Sequence, residues 1–185
     1  YKVKVGLSES VPRTGAPAAW QFHDARGLPV TGEGIDVAII DTGIDYTHPD
    51  LGGCFGPSCR VRGGYDFYNN DNDPRDDHNH GTHVAGIVAA SGAITGVAPS
   101  AHLWAFKVLG AFGYGSSSDV MAGVERAADL DGDPLTVDPA DVANMSLGGY
   151  GNPDDPMSQA VDAAVNAGVL MVVSAGNSGP NAGTI

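Results

Sequence analysis

The chain has 185 residues, 42% of them hydrophobic, and carries a formal net charge of -13 from 9 basic and 22 acidic residues. That apolar content is enough for one sizeable core, which excludes a disordered chain and points to a single domain or a large part of one. The acidic balance disfavours nucleic acid and anionic membranes as partners, and no apolar run approaches the roughly 20 residues that a bilayer span requires.

The first residues, YKVKVGLSES, contain neither an initiator Met nor the apolar stretch of a signal peptide, so Tyr1 reads as a processed start. From there to Gly34, with Pro12, Pro17 and Pro29, the pattern is that of a surface arm (1–34) ahead of a βαβ core (35–185). Four short runs of branched apolar residues predict strands over 35–41 (IDVAIID), 103–109 (LWAFKVL), 142–147 (VANMSL) and 169–174 (VLMVVS). Residues 81–90 (GTHVAGIVAA) are apolar nearly all round and predict an interior helix. Ser116 and Asp119 make a capping pair that opens a second helix, along which Val120, Val124 and Ala128 recur at helical spacing. Asp155 and Pro156 open a third, with Val161 and Val165 on one face and Gly168 closing it. Strands alternating with helices imply an α/β fold, a parallel sheet between two helical layers.

Between these elements lie two acidic loops, 66–77 (DFYNNDNDPRDD) and 129–141 (DLDGDPLTVDPAD). In the first, Asp66, Asp71, Asp73, Asp76 and Asp77 are dense in hard oxygen ligands of the kind calcium prefers, or form a solvated acidic turn. In the second, Asp129, Asp131 and Asp133 imitate the start of an EF-hand, but Gly132 and Pro134 break that pattern. Cys54 and Cys59 flank a Gly-Pro turn, as a small local disulfide or as two reduced thiols.

In an open parallel sheet, functional groups collect beyond the carboxyl ends of the strands. Asp41 ends the first predicted strand, Ser146 and Leu147 end the third, Ala175, Gly176 and Asn177 follow the last, and His80 precedes the interior helix. An acid, an imidazole and an amide can therefore reach one edge. In chain order, DTGID at 41–45, HGTHVAG at 80–86, SLGG at 146–149 and SAGNSG at 174–179 resemble the landmarks of the subtilisin-like serine proteases, with HPDL at 48–51, GVAP at 96–99 and KVLG at 107–110 in agreement. The similarity runs from about Gly34 to Pro180, and its GNSGP ending is most like the larger extracellular members.

The resemblance implies a subtilisin-like fold that is incomplete at its C-terminus, and a serine endopeptidase acting on peptides or proteins outside the cell. By it, Asp41 orients His80, His80 is the general base, and Asn177 donates its amide to the oxyanion. It also implies a substrate cleft of Gly113, Tyr114 and Gly115 facing Ser146, Leu147 and Gly148, completed by Ala175 and Gly176, with structural calcium held by Asp66, Asp71 and Asp73. Asp50 corresponds to a calcium ligand of the family, but the short 91–95 stretch (SGAIT) lacks the loop that completes that site. The family's nucleophile lies in a GTSMA segment, and no serine of this chain sits in such a context. The implied partner is thus a C-terminal portion of the same protease.

Two other readings compete. HNHGTH at 78–83 has the HxHxxH spacing of metallo-β-lactamase-like zinc hydrolases, with Thr82 where that family has Asp. Lack of the nucleophile is compatible with a noncatalytic binding module.

Overall fold

A computed structural model of the chain describes residues 7–133, 135–149 and 151–179. Its centre is one parallel sheet of β1 (Asp36–Asp41), β2 (Val61–Asp66), β3 (His102–Lys107), β4 (Val142–Met145) and β5 (Leu170–Val173), in the order β2-β3-β1-β4-β5. The middle strand β1 is buried from its second residue to its last. Its alternate side chains serve opposite faces, as the two-residue repeat of a strand demands. Val37 and Ile39 meet Val84, Ala85 and Ala89 of α3 (His80–Ala89) on one side. Ala38 and Ile40 meet Val124 of α4 (Ser117–Ala127) and Ala164 of α5 (Pro156–Asn166) on the other. These are the three layers expected from the sequence.

Local chemistry sets the helix starts. The Ser116 hydroxyl accepts from the Asp119 N–H and the Asp119 carboxylate accepts from the Ser116 N–H, a reciprocal cap on α4. Asp155 caps α5 through the Ser158 N–H at 2.8 Å.

Four expectations need correction. Residues 1–34 are not an irregular arm throughout, because α1 (Leu7–Arg13) and α2 (Ala16–Ala19) lie within them. Val11, Ala16 and Trp20 cluster, and the Trp20 indole donates to the Val97 carbonyl at 2.9 Å, fastening this segment to the body. The four predicted strands do not include β2, whose VRGGYD has two glycines where branched apolar residues would mark a strand. Gly64 lies at φ +148°, and a Cβ there would stand 1.9 Å from the Ala105 carbonyl oxygen, so the glycine admits a close backbone approach inside a strand. The helix over 81–90 is interior on one side only, with His83 and Ile87 at the surface. Val161 and Val165, expected together on one face of α5, differ in burial: Val161 is partly buried against the core and Val165 is 51% exposed. Cys54 and Cys59 form a disulfide.

Candidate active site

Asp41 is the last residue of β1 and has no exposed surface. His80 is the first residue of α3, and its Nδ1 lies 2.7 Å from Asp41 Oδ1. Gly81 allows this approach, since a Cβ there would stand 2.1 Å from the Gly43 carbonyl oxygen. The same Asp41 oxygen accepts the Thr42 N–H at 2.7 Å, while Oδ2 is buried without a hydrogen-bond partner among the described residues. A buried carboxylate with so few donors favours the imidazole tautomer that carries its proton on Nδ1. Nε2 is then an unprotonated base on a side chain that is 43% exposed.

The surroundings of this pair are densely bonded. The Asp76 carboxylate accepts from Thr42 Oγ1, the N–H groups of His78, Asn79 and Thr82, and Thr82 Oγ1. Burial pushes the Asp76 pKa up, but the Thr82 hydroxyl and the three N–H donors outweigh it and hold the carboxyl below its usual range. Lys107, at the end of β3, is 1% exposed, and its Nζ donates to Thr42 O at 2.9 Å, Leu109 O at 2.8 Å and Asp77 Oδ1 at 2.6 Å. Sequence reasoning did not single out Thr42 or Lys107, and it placed Asp76 and Asp77 only in an acidic loop, as a cation site or a solvated turn. The only available signal was their placement beside DTGID and HGTH.

Of the two expected cleft segments, Gly113–Gly115 adjoins the histidine loop and Ser146–Gly148 continues from the end of β4. Gly113 is adjacent to the histidine loop, since a Cβ on it would lie 3.2 Å from His78 Nε2, and the rings of His78 and His80 are 6.3 Å apart. Tyr114 is 80% exposed, and its carbonyl accepts the Gly110 N–H at 3.0 Å to close the turn. Gly115 has no hydrogen-bond partner among the described residues for its N–H or its carbonyl, as a strand that accepts another chain requires. Across the site, Ser174 Oγ donates to Leu147 O at 2.7 Å, tying the loop after β5 to the Ser146–Gly148 stretch. Ala175, Gly176 and Asn177 follow at that edge, and all three are exposed.

Neither expected metal set is assembled. The oxygens of Asp66, Asp71 and Asp73 do not all come within 4.8 Å of one another; among the described residues Asp129, Asp131 and Asp138 do. Asp66 is buried and takes both the backbone and side-chain N–H of Asn69, whereas Asp73 accepts the Tyr46 hydroxyl. Burial, together with that carboxylate, pushes the Tyr46 pKa up to about 12. Burial and the neighbouring Asp131 push Asp138 up as well. Asp50 accepts the Ala93 N–H at 3.0 Å and the Ile94 N–H at 3.1 Å, which hold its pKa down. The short 91–95 loop thus closes directly on the carboxylate that the resemblance assigns to calcium. His78, His80 and His83 form no ligand set either, because His80 turns to Asp41 and His83 lies on the α3 flank beside His48 and Asp50.

Residues 32–185 match the model of the subtilase family, peptidase S8. The chain belongs to the subtilase family. It is 48% identical to the minor extracellular protease Vpr of Bacillus subtilis over 189 residues, covering 97% of this chain and 21% of that protein. It is 45% identical to subtilisin Savinase of Lederbergia lenta over 179 residues, covering 93% and 58% respectively. The crystal structure of a cold-adapted subtilisin-like serine proteinase aligns with a TM-score of 0.67 at 36% identity, covering 80% of this chain and 48% of that one. The chain therefore spans well under two thirds of each of these relatives, and its sheet is the subtilisin-like α/β sheet.

Proposed function

We propose that this subtilase chain supplies the acid, the base and the oxyanion donor of a serine endopeptidase, with the nucleophilic serine on a portion of the parent protease outside these 185 residues. The observation that carries the proposal is the 2.7 Å contact of His80 Nδ1 with the buried Asp41 carboxylate. His80 Nε2 takes the proton of the serine hydroxyl as the oxygen attacks the scissile carbonyl, and Asp41 stabilises the imidazolium that results. The imidazolium then protonates the leaving amine, giving an acyl-enzyme that water hydrolyses by the same relay. Asn177 donates its side-chain amide to the oxygen on which negative charge develops. A peptide adds as a strand between Gly113–Gly115 and Ser146–Gly148, where glycines admit close backbone approach.

Partnership with a C-terminal portion accords with β5, an edge strand on which Leu170, Val172 and Val173 are 63%, 47% and 50% exposed. An apolar strand edge of this kind is a template for further pairing. The Cys54–Cys59 disulfide and the extracellular relative Vpr support secretion, and among the described residues no helix is long and apolar enough to cross a membrane.

A serine-directed fluorophosphonate tests the division of labour. The chain alone is expected to stay unlabelled, and a mixture with the C-terminal portion of the parent to label on that portion, with labelling lost in His80→Ala. Stoichiometric labelling of the chain by itself contradicts the proposal.

A further inference from the structure

We propose that Asp76 is a positioning residue for the Asp41–His80 pair, locking the residue after Asp41 to the residue after His80 through Thr42. The inference rests on the proposed roles of Asp41 and His80 and adds to them a group that touches neither. Four of the five donors to Asp76 come from the entry to α3, namely the N–H groups of His78, Asn79 and Thr82 and the Thr82 hydroxyl. A residue that only capped this helix would need nothing more. The fifth donor is Thr42 Oγ1, at 2.9 Å, on the residue just past the end of β1 and directly bonded along the chain to Asp41.

That hydroxyl has a second duty. It accepts the Gly81 N–H at 2.9 Å, and Gly81 follows His80. Asp76 fixes the donor direction of the Thr42 hydroxyl, which leaves its lone pairs to Gly81. The circuit Asp76–Thr42–Gly81–Thr82 therefore joins the strand that carries the acid to the helix that carries the base. Thr82 Oγ1 also accepts the Asp45 N–H at 2.9 Å, a further tie between α3 and the DTGID loop. From the other side, the buried Lys107 ammonium holds the Thr42 carbonyl and is neutralised by Asp77, so two successive acidic residues secure the same turn.

The backbone supplies an independent sign of constraint. Asn79, immediately before His80, lies at φ 80°, and its side chain makes no cap on α3. Asparagine tolerates this left-handed conformation better than most side chains do, but it still costs energy that local bonds must offset. Here the Asn79 N–H is bound by Asp76 and its carbonyl accepts the His83 N–H at 3.1 Å. Loss of the clamp frees Asn79 to relax and lets the imidazole move. In a triad, a shift of about 1 Å is enough to cost about 100-fold in rate.

The test is NMR of the full chain with histidine labelled in the ring nitrogens, reading the His80 Nδ1–H proton that Asp41 shields from exchange. The wild type is expected to show this downfield, slowly exchanging signal. Asp76→Asn keeps the size of the group but replaces an acceptor oxygen with a donor, and Thr42→Val removes the bridging hydroxyl. Each is expected to speed exchange at least 10-fold or to remove the signal, whereas Thr42→Ser retains it, with the amide signals of α4 and α5 unchanged throughout. A folded Asp76→Asn with wild-type shift and exchange overturns the proposal. Should that variant not fold, equal His80 signals in Thr42→Val and Thr42→Ser overturn it. Absence of the signal from the wild type overturns instead the Asp41–His80 pairing, and the clamp with it.

Discussion

The two halves of the sheet differ in how finished they are. Around β1 and β3 a set of polar groups is buried and hydrogen-bonded: Asp41, Thr42, Asp66 and Lys107 are all below 3% exposure. At β4 and β5 the strands are four residues long, β5 carries exposed apolar side chains, and Asn177 is exposed. Proton transfer needs an acid and a base fixed to within a fraction of an ångström, and one folded unit can supply that geometry by itself. In the proposed function, the oxyanion donor Asn177 and one side of the peptide cleft, Ser146–Gly148, belong to the open half, and the other side, Gly113–Gly115, belongs to the closed one.

The largest effect on stability is expected at Lys107. Its removal in Lys107→Ala leaves a cavity and strips the buried Thr42 and Leu109 carbonyls of their donor, while half-exposed Asp77 recovers hydration. A loss of about 3 kcal/mol in urea unfolding is expected; a loss below about 1 kcal/mol would show that the front half is not held as tightly as its geometry implies. Next is Gly81→Ala, whose methyl must displace Gly43 or move α3. Overpacking of this kind costs about 1–3 kcal/mol and should also weaken the Asp41–His80 bond, visible as faster exchange of the His80 ring proton.

Acid sensitivity sharpens the contrast further. The folded pKa of Asp76 lies below its ordinary value of 3.8, so as pH falls the unfolded chain takes up this proton first. The stabilisation is complete above that ordinary value and is lost as pH drops through the lower folded one. Between pH 5 and 3 the wild type should therefore lose stability more steeply than Asp76→Asn, measured as unfolding free energy against pH. The smallest effects belong to the open edge. Leu170→Gln and Val172→Gln should change the stability of the chain alone by no more than about 0.5 kcal/mol, yet weaken its association with the C-terminal portion, measured by calorimetry.

Much of this was legible in the sequence. β1 declared itself because a strand covered on both faces must be apolar throughout, and the caps Ser116 and Asp155 are local chemistry that needs no tertiary context. Asp41 and His80 were legible as ordered motifs, and the structure brings them together. β2 was not legible, since Gly63 and Gly64 serve the approach of Trp104 and Ala105, residues about 40 positions away in sequence. The bonding of the acidic loop was not legible for a similar reason. Carboxylates that suggest a cation when only their spacing is known turn out to accept from Thr42, Thr82, Asn69, Tyr46 and Lys107, donors that only the fold places beside them.

The central claim is that the front half of this chain is the proton-relay half of a subtilase, and kcat of the parent protease with Asp41→Asn tests it most directly. The substitution keeps the shape of the side chain but removes the charge that holds His80 in its Nδ1–H tautomer, so a fall of about 10⁴-fold in kcat is expected with KM little changed. Retention of kcat within about tenfold of the wild type would contradict the account.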